Sequence, residues 1–251
     1  MTSAVPIVNL ASMYMNGLRI SSNATTPDEK LDVALGQCRD STNVYDMSLS
    51  AAITLNIASN GLNGLDTGTV AADKLYAIHL ISDPVSGNAT GGLISLSVTA
   101  PTMPNGYSAF RHIGYATTDG DADLLLGYWT GGNSGNRKFL YDAPQATAIT
   151  AGNATSFTAV ALTKWVPAVE NTPVSIAYAF TPGAASRALN LTPGNGTGSA
   201  VTITGQVTSV VVSGNAEVLA RVTSSVPEVD YKVANSGDAV ALNVAGYSVA
   251  L

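Results

Sequence analysis

The stretch from Leu75 to Trp129 constrains the fold of this chain more than any other. It holds four short runs rich in apolar and aromatic residues, LYAIHLISD, GLISLSVTA, FRHIGYAT and LLLGYWT, and clusters of Gly, Pro, Asn and Asp separate them. Such runs predict strands, and such clusters predict turns. Because the connections are too short for a parallel crossover, the pattern predicts an antiparallel meander. The fold class predicted for the chain is therefore all-β.

Two neighbouring segments add detail to this prediction. In the second run, Ile94, Leu96 and Val98 alternate with Ser and Thr residues, and this period of two is typical of a half-buried strand. Upstream, the alternating residues 31–35 predict a strand and residues 36–43 predict a turn.

The sequence divides near residues 131–145, GGNSGNRKFLYDAPQ. The glycines there predict a flexible boundary, followed by a strand from Lys138 to Tyr141 that Pro144 ends. Downstream, strand-like runs with few charges predict a sandwich or jelly roll. We therefore predict two antiparallel β-sandwich or jelly-roll-like domains, over residues 17–141 and 142–251, with an extended N-terminal arm over residues 1–16. The strand candidates of the second domain are Thr155–Leu162, Val174–Phe180, Val201–Val207, Ser209–Val212, Ala216–Thr223, Asp230–Val233 and Ala239–Val249.

The predicted arm carries the residues that we expect to dock onto a partner. Proline holds itself and its neighbour extended, and methionine adapts to irregular apolar surfaces. An apolar terminus with no charge before Arg19 favours insertion into a larger assembly. The alternative, which stays open, is a first edge strand of the local sheet. The predicted docking residues are Val5, Pro6, Ile7, Val8, Leu10, Met13, Tyr14 and Met15.

The composition bears on partners. Charged residues make up 11% of the chain, whereas about a quarter is usual. A surface so poor in charge favours coverage by partners or by further copies of the chain, and we predict a homotrimer. The alternative is an ordinary β-sandwich whose outer faces carry Thr, Ser and Asn.

Several classes of protein are disfavoured by the sequence. With a net charge of −6 and no basic run, the chain is predicted not to bind nucleic acid. No run approaches the ~18 apolar residues of a membrane span. The N-terminal residues lack the charged and apolar regions of a signal peptide, so we expect a product that stays in the cell or leaves by a route other than secretion. The single Cys38 excludes an intramolecular disulfide, and with two histidines in all it offers no zinc site.

Catalytic alternatives rest on carboxylates. Asp66-Thr67-Gly68 matches the short motif of aspartic proteases, in which two such turns share one proton. The residues before Asp66 read as a loop, however, whereas that chemistry needs a buried strand leading into the motif. A paired-carboxylate glycan hydrolase also stays open as a remote alternative, although the aromatic platforms usual for sugars are sparse at 6% aromatic residues.

Metal and cofactor sites are not predicted. Asp119, Asp121 and Asp123 alternate like the first ligands of a calcium loop, but Leu124 stands where that loop needs glycine. An acidic hairpin turn is the favoured interpretation. The two histidines, His79 and His112, lie on predicted strands without a nucleophile pattern, which favours structural roles. We therefore expect no enzyme and no cofactor.

Three segments resemble a known module. GLRISSNATTPDEKLDVALGQCRDST, GLDTGTVAADKLYAIHLISD and TAPTMPNGYSAFRHIGY follow one another over residues 17–141, and DYKVANSGDAVALNVAGY lies near the end of the chain. Together they resemble virion structural proteins of tailed bacteriophages, of the tail fibre type.

The resemblance implies a part of a phage particle and not a catalyst. On this basis we expect a virion component, made in the host cytoplasm, that attaches by its N-terminus to a tail adaptor and assembles as a trimer. Its β domains would serve assembly or host attachment, with a host surface glycan as one possible partner. A head fibre or capsid decoration protein is the alternative.

Overall fold

The computed structural model describes residues 10–85, 87–130, 136–196 and 200–251, except for the side chains of 144–147. Its regular structure is β throughout these ranges, which contain no α-helix and are arranged in large antiparallel sheets. The predicted all-β, sandwich-type fold class is therefore confirmed. Within the same ranges, no helix is long and apolar enough to cross a membrane.

The chain forms two compact units. Unit 1 contains the described residues of Met1–Leu125, Trp129–Arg137 and Ala250–Leu251, and unit 2 contains Leu126–Tyr128 and Lys138–Val249. Along the chain, the change from unit 1 to unit 2 falls between Leu125 and Lys138.

Unit 1 is built from short strands. They are β1 (Met15–Gly17), β2 (Ile20–Ser22), β3 (Lys30–Val33), β4 (Gly36–Arg39), β5 (Asp46–Leu49), β6 (Ile53–Asn56), β7 (Gly64–Leu65), β8 (Leu75–Ser82), β9 (Gly91–Ser95) and β10 (Ala109–Thr117). An antiparallel sheet has the order β1-β4-β5, a second group has the order β2-β3-β6, and a four-stranded sheet has the order β10-β8-β9-β7.

The predicted meander is wrong. The central strand β8 pairs with β9 along one edge and with β10 along the other, so that β9 and β10 are not neighbours. The loop over residues 96–108 is long enough to carry the chain across β8. Strand β7 pairs with β9 in parallel, and the fourth predicted strand, β11 (Gly127–Thr130), belongs to a different sheet.

Strand β9 is also not half-buried. All of its residues are buried, because Gly91 and Gly92 admit the side chains of Leu62 and Leu55 against the backbone. The strand ends at Ser95, and Leu96 lies beyond it with its side chain 58% exposed. The alternation of apolar and polar residues therefore continues beyond Ser95, although the strand ends there.

The predicted turn over residues 36–43 is wrong in its first half. Gly36–Arg39 forms β4, and the turn begins only at Asp40. Gly36 pairs with Gly17 in the neighbouring strand, where a Cβ on Gly17 would lie 2.4 Å from the carbonyl oxygen of Leu35. The glycine therefore allows two strands to approach closely and does not end one.

Unit 2 has longer strands. They are β13 (Thr158–Ala161), β14 (Thr172–Thr181), β15 (Arg187–Pro193), β16 (Val201–Gly205), β17 (Val212–Thr223) and β18 (Val226–Val233). The strands β12 (Asn136–Gly152) and β19 (Ala239–Ala250) belong to it for most of their length. The strand order is β16-β15-β18-β17-β14-β19-β12. The pairs β16–β15, β15–β18, β18–β17, β17–β14 and β14–β19 are antiparallel.

Three predictions for this half need correction. Strand β15 was not predicted, although Leu189 and Leu191 alternate as buried residues along it. Residues 209–211 precede β17 instead of forming a strand. Strand β12 continues through Pro144, so the proline does not end it.

Candidate functional site

The predicted docking residues fall into two groups. Val5, Pro6, Ile7 and Val8 lie outside the described residues. Leu10 and Met13 are held by side chains of unit 1, because Asp46 accepts the backbone N–H of Leu10 at 3.3 Å and Asn43 accepts that of Met13 at 2.7 Å.

The end of the predicted arm is part of the local sheet. The carbonyl oxygen of Tyr14 accepts a hydrogen bond from the backbone N–H of Arg39, and Met15 pairs with Cys38 in β1. Met15 is fully buried, so its side chain packs in the core of unit 1. The exposed member of the group is Met13, at 51%. Docking through this segment stays a prediction.

Asp66, the residue of the protease-like motif, is engaged in local hydrogen bonds. Its Oδ2 accepts the Ser95 hydroxyl at 2.6 Å and the backbone N–H of Thr102 at 3.0 Å. It follows the buried strand β7, a point on which the sequence interpretation was wrong, since a loop was expected there. A cavity of about 240 Å³ lies beside it, lined by Thr67, Thr69, Tyr76, Ser95, Leu96, Ser97, Ala100 and Thr102. The hydrogen bonds give Asp66 the role of fixing the loop over 96–102 onto β9.

The two histidines are neighbours across β8 and β10. His79 and His112 are register partners, and their ring centroids are 5.6 Å apart. His79 is fully buried and contacts the carbonyl oxygen of Ser97 through Nε2 at 2.9 Å. Desolvation lowers the pKa of His79 to about 4 and the pKa of His112 to about 3. Both rings are therefore neutral near pH 7.

The acidic turn has the form that the sequence favours. Asp119 Oδ1 accepts the backbone N–H groups of Asp121 and Asp123 at 2.9 and 3.0 Å. Desolvation and then the nearby carboxylates, Asp119 first among them, raise the pKa of Asp123. Among the described residues, no group of three or more His, Cys, Asp or Glu side chains is arranged to hold a metal ion.

A cleft of about 450 Å³ in unit 1 is lined in part by a buried arginine, Arg111. Its lining residues are Met13, Ser41, Val98, Thr99, Phe110, Arg111, His112, Ala250 and Leu251. Arg111 lies on β10, next to Phe110 in the sequence. Arg111 is only 4% exposed. Its Nη2 has no hydrogen-bond partner in the described part of the chain, and its Nη1 reaches only the thioether sulfur of Met13 at 3.4 Å.

Sequence reasoning passed over Arg111. The available signal was a cation inside a run of β-forming residues, AFRHIGYAT, where burial of an unpaired charge is costly. The sequence did not show whether a partner lay nearby, because any partner would come from a distant segment.

The comparisons with known proteins leave the chain without a family. No protein family and no curated protein matches the sequence. Among solved structures, isomalto-dextranase of Arthrobacter globiformis T6 in complex with panose is similar with 12% identity and a TM-score of 0.21, over 89% of this chain and 35% of that one. Exo-β-1,3-galactanase of Phanerochaete chrysosporium with galactose is similar with 14% identity and a TM-score of 0.21, over 95% and 57%. At these TM-scores the similarities carry no argument about fold or activity.

Proposed function

We propose that this protein is a structural component of a tailed-bacteriophage virion, of the tail fibre type, which works as an assembly of several copies. The proposal rests on the resemblance of its sequence segments to such proteins. Its main support in the structure is the amount of apolar side chain left exposed on single chains. These side chains belong to Leu35, Val44, Leu62, Val85, Leu96, Val207, Val210 and Val211, with exposures from 45% to 82%.

The scarcity of charge strengthens this argument. Charged residues make up 11% of the chain, less than half of the roughly one quarter that is usual in soluble domains, so little charge is available to keep single copies apart in solution. Val207, Val210 and Val211 lie close together in the sequence before β17, and their side chains are each more than half exposed. Contacts between copies, or with other virion proteins, would cover such side chains.

An open sheet edge adds a second kind of surface. Within the described residues, β16 is the last strand of its sheet and pairs only with β15. Its residues Thr202 and Thr204 are exposed. A free strand edge offers unpaired backbone groups, to which a strand of another chain can add.

The first test is the oligomeric state. We expect light scattering on the purified protein at micromolar concentration to give three times the 25.5 kDa of one chain. The variant V210D/V211D places two charges among the exposed apolar residues of the loop before β17. We expect it to shift the protein towards smaller species. Thr208→Asp is the matched control, because Thr208 is an exposed polar residue of the same loop. A stable monomer of the unaltered chain would contradict the assembly proposal.

The second test is the location in the particle. We expect mass spectrometry to detect the chain in purified phage particles and gold-labelled antibodies to mark the tail. Labelling over the capsid lattice would instead support the head-decoration alternative. Absence of the chain from purified particles would overturn a virion role of either kind.

A further inference from the structure

We propose that the cleft beside Arg111 is a binding site for a carboxylate carried by an apolar group. The proposal assigns Arg111 as the residue that binds the carboxylate and the apolar walls of the cleft as the surface for the carbon body of the ligand. It goes beyond the proposed virion role and does not depend on it.

The first step is the lack of a partner for the guanidinium. A guanidinium has five N–H donors, and burying it without acceptors is costly. Arg111 is 96% buried, since only 4% is exposed, and its Nη2 has no partner among the described residues. The sulfur of Met13, at 3.4 Å from Nη1, is a weak acceptor. A strong acceptor is therefore missing from this site.

The nearby acid does not supply the acceptor. Asp40 Oδ1 accepts the backbone N–H groups of Val44 and Tyr45, each at 2.7 Å, and Oδ2 accepts both the backbone N–H and the hydroxyl of Thr42. The Asp40 carboxylate is thus occupied within its own turn. Burial raises the pKa of Cys38 to about 12, so this neighbouring thiol is neutral.

No other Asp or Glu side chain among residues 1–251 supplies the acceptor. Residues 1–9, 86, 131–135 and 197–199, and the side chains of 144–147, include no Asp or Glu. All carboxylate side chains of the sequence therefore lie among the described residues, where none is an ion-pair partner of Arg111. Leu251, the last residue of the sequence, also lines the cleft, but none of its atoms accepts a hydrogen bond from Nη2. A carboxylate that enters the cleft would supply the missing acceptor.

The chemistry of the walls selects the kind of anion. Val98, Phe110 and Met13 give the cleft an apolar wall, and Ser41 and Thr99 contribute hydroxyl groups to the lining. His112 is neutral near pH 7, because desolvation lowers its pKa to about 3. One cation with apolar walls suits a single carboxylate, which a guanidinium binds through two parallel hydrogen bonds, better than a multiply charged phosphate.

The ligand would reach the guanidinium by displacing the side chain of Met13. Its side chain is about half exposed and covers Nη1. Methionine is unbranched and changes conformation readily. We expect a carboxylate oxygen to take the place of the sulfur at Nη1, so binding should move the Met13 side chain.

The experiment compares a carboxylate on an apolar chain with an uncharged analogue and with an inorganic anion. Titration calorimetry with hexanoate is expected to show saturable binding, whereas hexanamide, which has a similar shape without charge, and inorganic phosphate should bind at least tenfold more weakly. The methyl NMR signal of Met13 should shift with hexanoate. No binding of millimolar hexanoate, or equal binding of hexanamide or phosphate, would overturn the proposal.

The variants test the residue. Arg111→Gln should weaken hexanoate binding at least tenfold, while Arg19→Gln, which alters an exposed arginine of the same unit, should leave it unchanged. Thr99→Glu keeps Arg111 and places a carboxylate in the cleft, so it should block hexanoate; Thr99→Gln is the neutral control. The Thr99 pair decides the question if Arg111→Gln does not fold. Unchanged binding in both Arg111→Gln and Thr99→Glu would overturn the proposal.

Discussion

Two buried arginines of unit 1 have opposite surroundings. Arg137 is 2% exposed and donates to the carbonyl oxygens of Leu18 at 2.9 Å, of Ile113 at 3.3 Å and of Gly17. Arg111 is as deeply buried, but has an unpartnered Nη2 and only a thioether at Nη1. Burial alone therefore does not tell a structural cation from a candidate binding cation, whereas the set of acceptors does.

The backbone explains the acceptors of Arg137. Gly17, the last residue of β1, and Leu18, which follows it, both have positive φ, at 70° and 53°. The carbonyl oxygens of both residues accept hydrogen bonds from Arg137. Arg137 thus ties the end of β1 to Ile113 of β10. Within the described ranges, Nη2 of Arg111 has no such acceptor.

Unit 2 repeats the contrast with carboxylates. Asp238 is 2% exposed and accepts the backbone N–H groups of Gly183 at 2.7 Å and Asn235 at 2.9 Å, with Arg187 at 3.3 Å. Asp230 is 5% exposed, and its Oδ1 has no partner among the described residues. Burial raises the pKa of Asp230. Asp230 does accept a hydrogen bond from the backbone N–H of Gly196. Unit 2 therefore contains a buried carboxylate with several partners, Asp238, and another with one unpartnered oxygen, Asp230.

The largest effect is expected from Arg137→Met. The change removes the donors to three buried carbonyl oxygens, and each unsatisfied group costs about 1–3 kcal/mol. We expect a loss of about 5 kcal/mol in the free energy of unfolding, measured by urea denaturation. Arg137→Lys should recover part of it. If Arg137→Met unfolds at the same urea concentration as the unaltered protein, the role given to its hydrogen bonds is wrong.

The next prediction concerns His79, a buried ring that is neutral near pH 7, in contrast to the buried charges compared above. Unfolded histidine binds a proton near pH 6.5, whereas desolvation lowers the pKa of His79 to about 4 in the fold. The unfolded state therefore binds more protons between these values, and stability is present above pH 6.5 and is lost as the pH falls towards 4. The loss from His79 should be on the order of 3 kcal/mol.

The measurement is the free energy of unfolding at several pH values between 7 and 4. His79→Gln cannot bind this proton, so the variant should lose less stability over the interval than the unaltered protein. Lys30→Gln, a substitution on β3 of the same unit, is the control for the effect of a glutamine substitution that leaves His79 in place. Parallel pH profiles for His79→Gln and the unaltered protein would remove the argument for a buried neutral ring.

The carboxylates of unit 2 provide a matched pair. We expect Asp238→Asn to cost about 2 kcal/mol, because it weakens two backbone hydrogen bonds and an ion pair. Asp230→Asn should cost less than about 1 kcal/mol or stabilise the protein. Because the pKa of Asp230 is raised, its contribution falls as pH rises through the folded-state value, so Asp230→Asn should help most at neutral pH. Equal costs for the two variants, from urea denaturation, would break the comparison.

The smallest effect is expected from Arg111→Met. Methionine keeps the apolar stem and removes a buried charge without partners, so the free energy of unfolding should change by less than about 1 kcal/mol. Urea denaturation without added carboxylate is the measurement. A loss as large as that of Arg137→Met would show that Arg111 has a structural role that its recorded contacts do not reveal.

Much of the strand content was predictable from short segments. Strands β8 and β10 lie where LYAIHLISD and FRHIGYAT predict them, and β14 and β19 coincide closely with predicted runs. β-branched and aromatic residues favour extended backbone locally, so this information needs no distant contact. Strand β15 was missed because RALNLTP includes Asn190 and ends in Pro193, which resemble loop residues, although its leucines alternate.

The candidate site was less predictable than the strands. The sequence picked out Asp66 and the acidic turn, whose carboxylates make local hydrogen bonds in the structure. It passed over Arg111, since the informative property is the absence of an acceptor among residues that the fold brings near it. Exposure of the apolar residues before β17 also follows from the packing and not from their identity.

The sequence by itself determined that this is a β protein poor in charge. Strand propensity acts within short segments, and composition is a count of residues, so neither depends on distant contacts. Only the tertiary structure decided that β10 lies across β8 from β9, and which buried charges have partners. The bond from Arg137 to Gly17 joins residues 120 positions apart. Contacts over such separations depend on the order of the strands, which no short segment encodes.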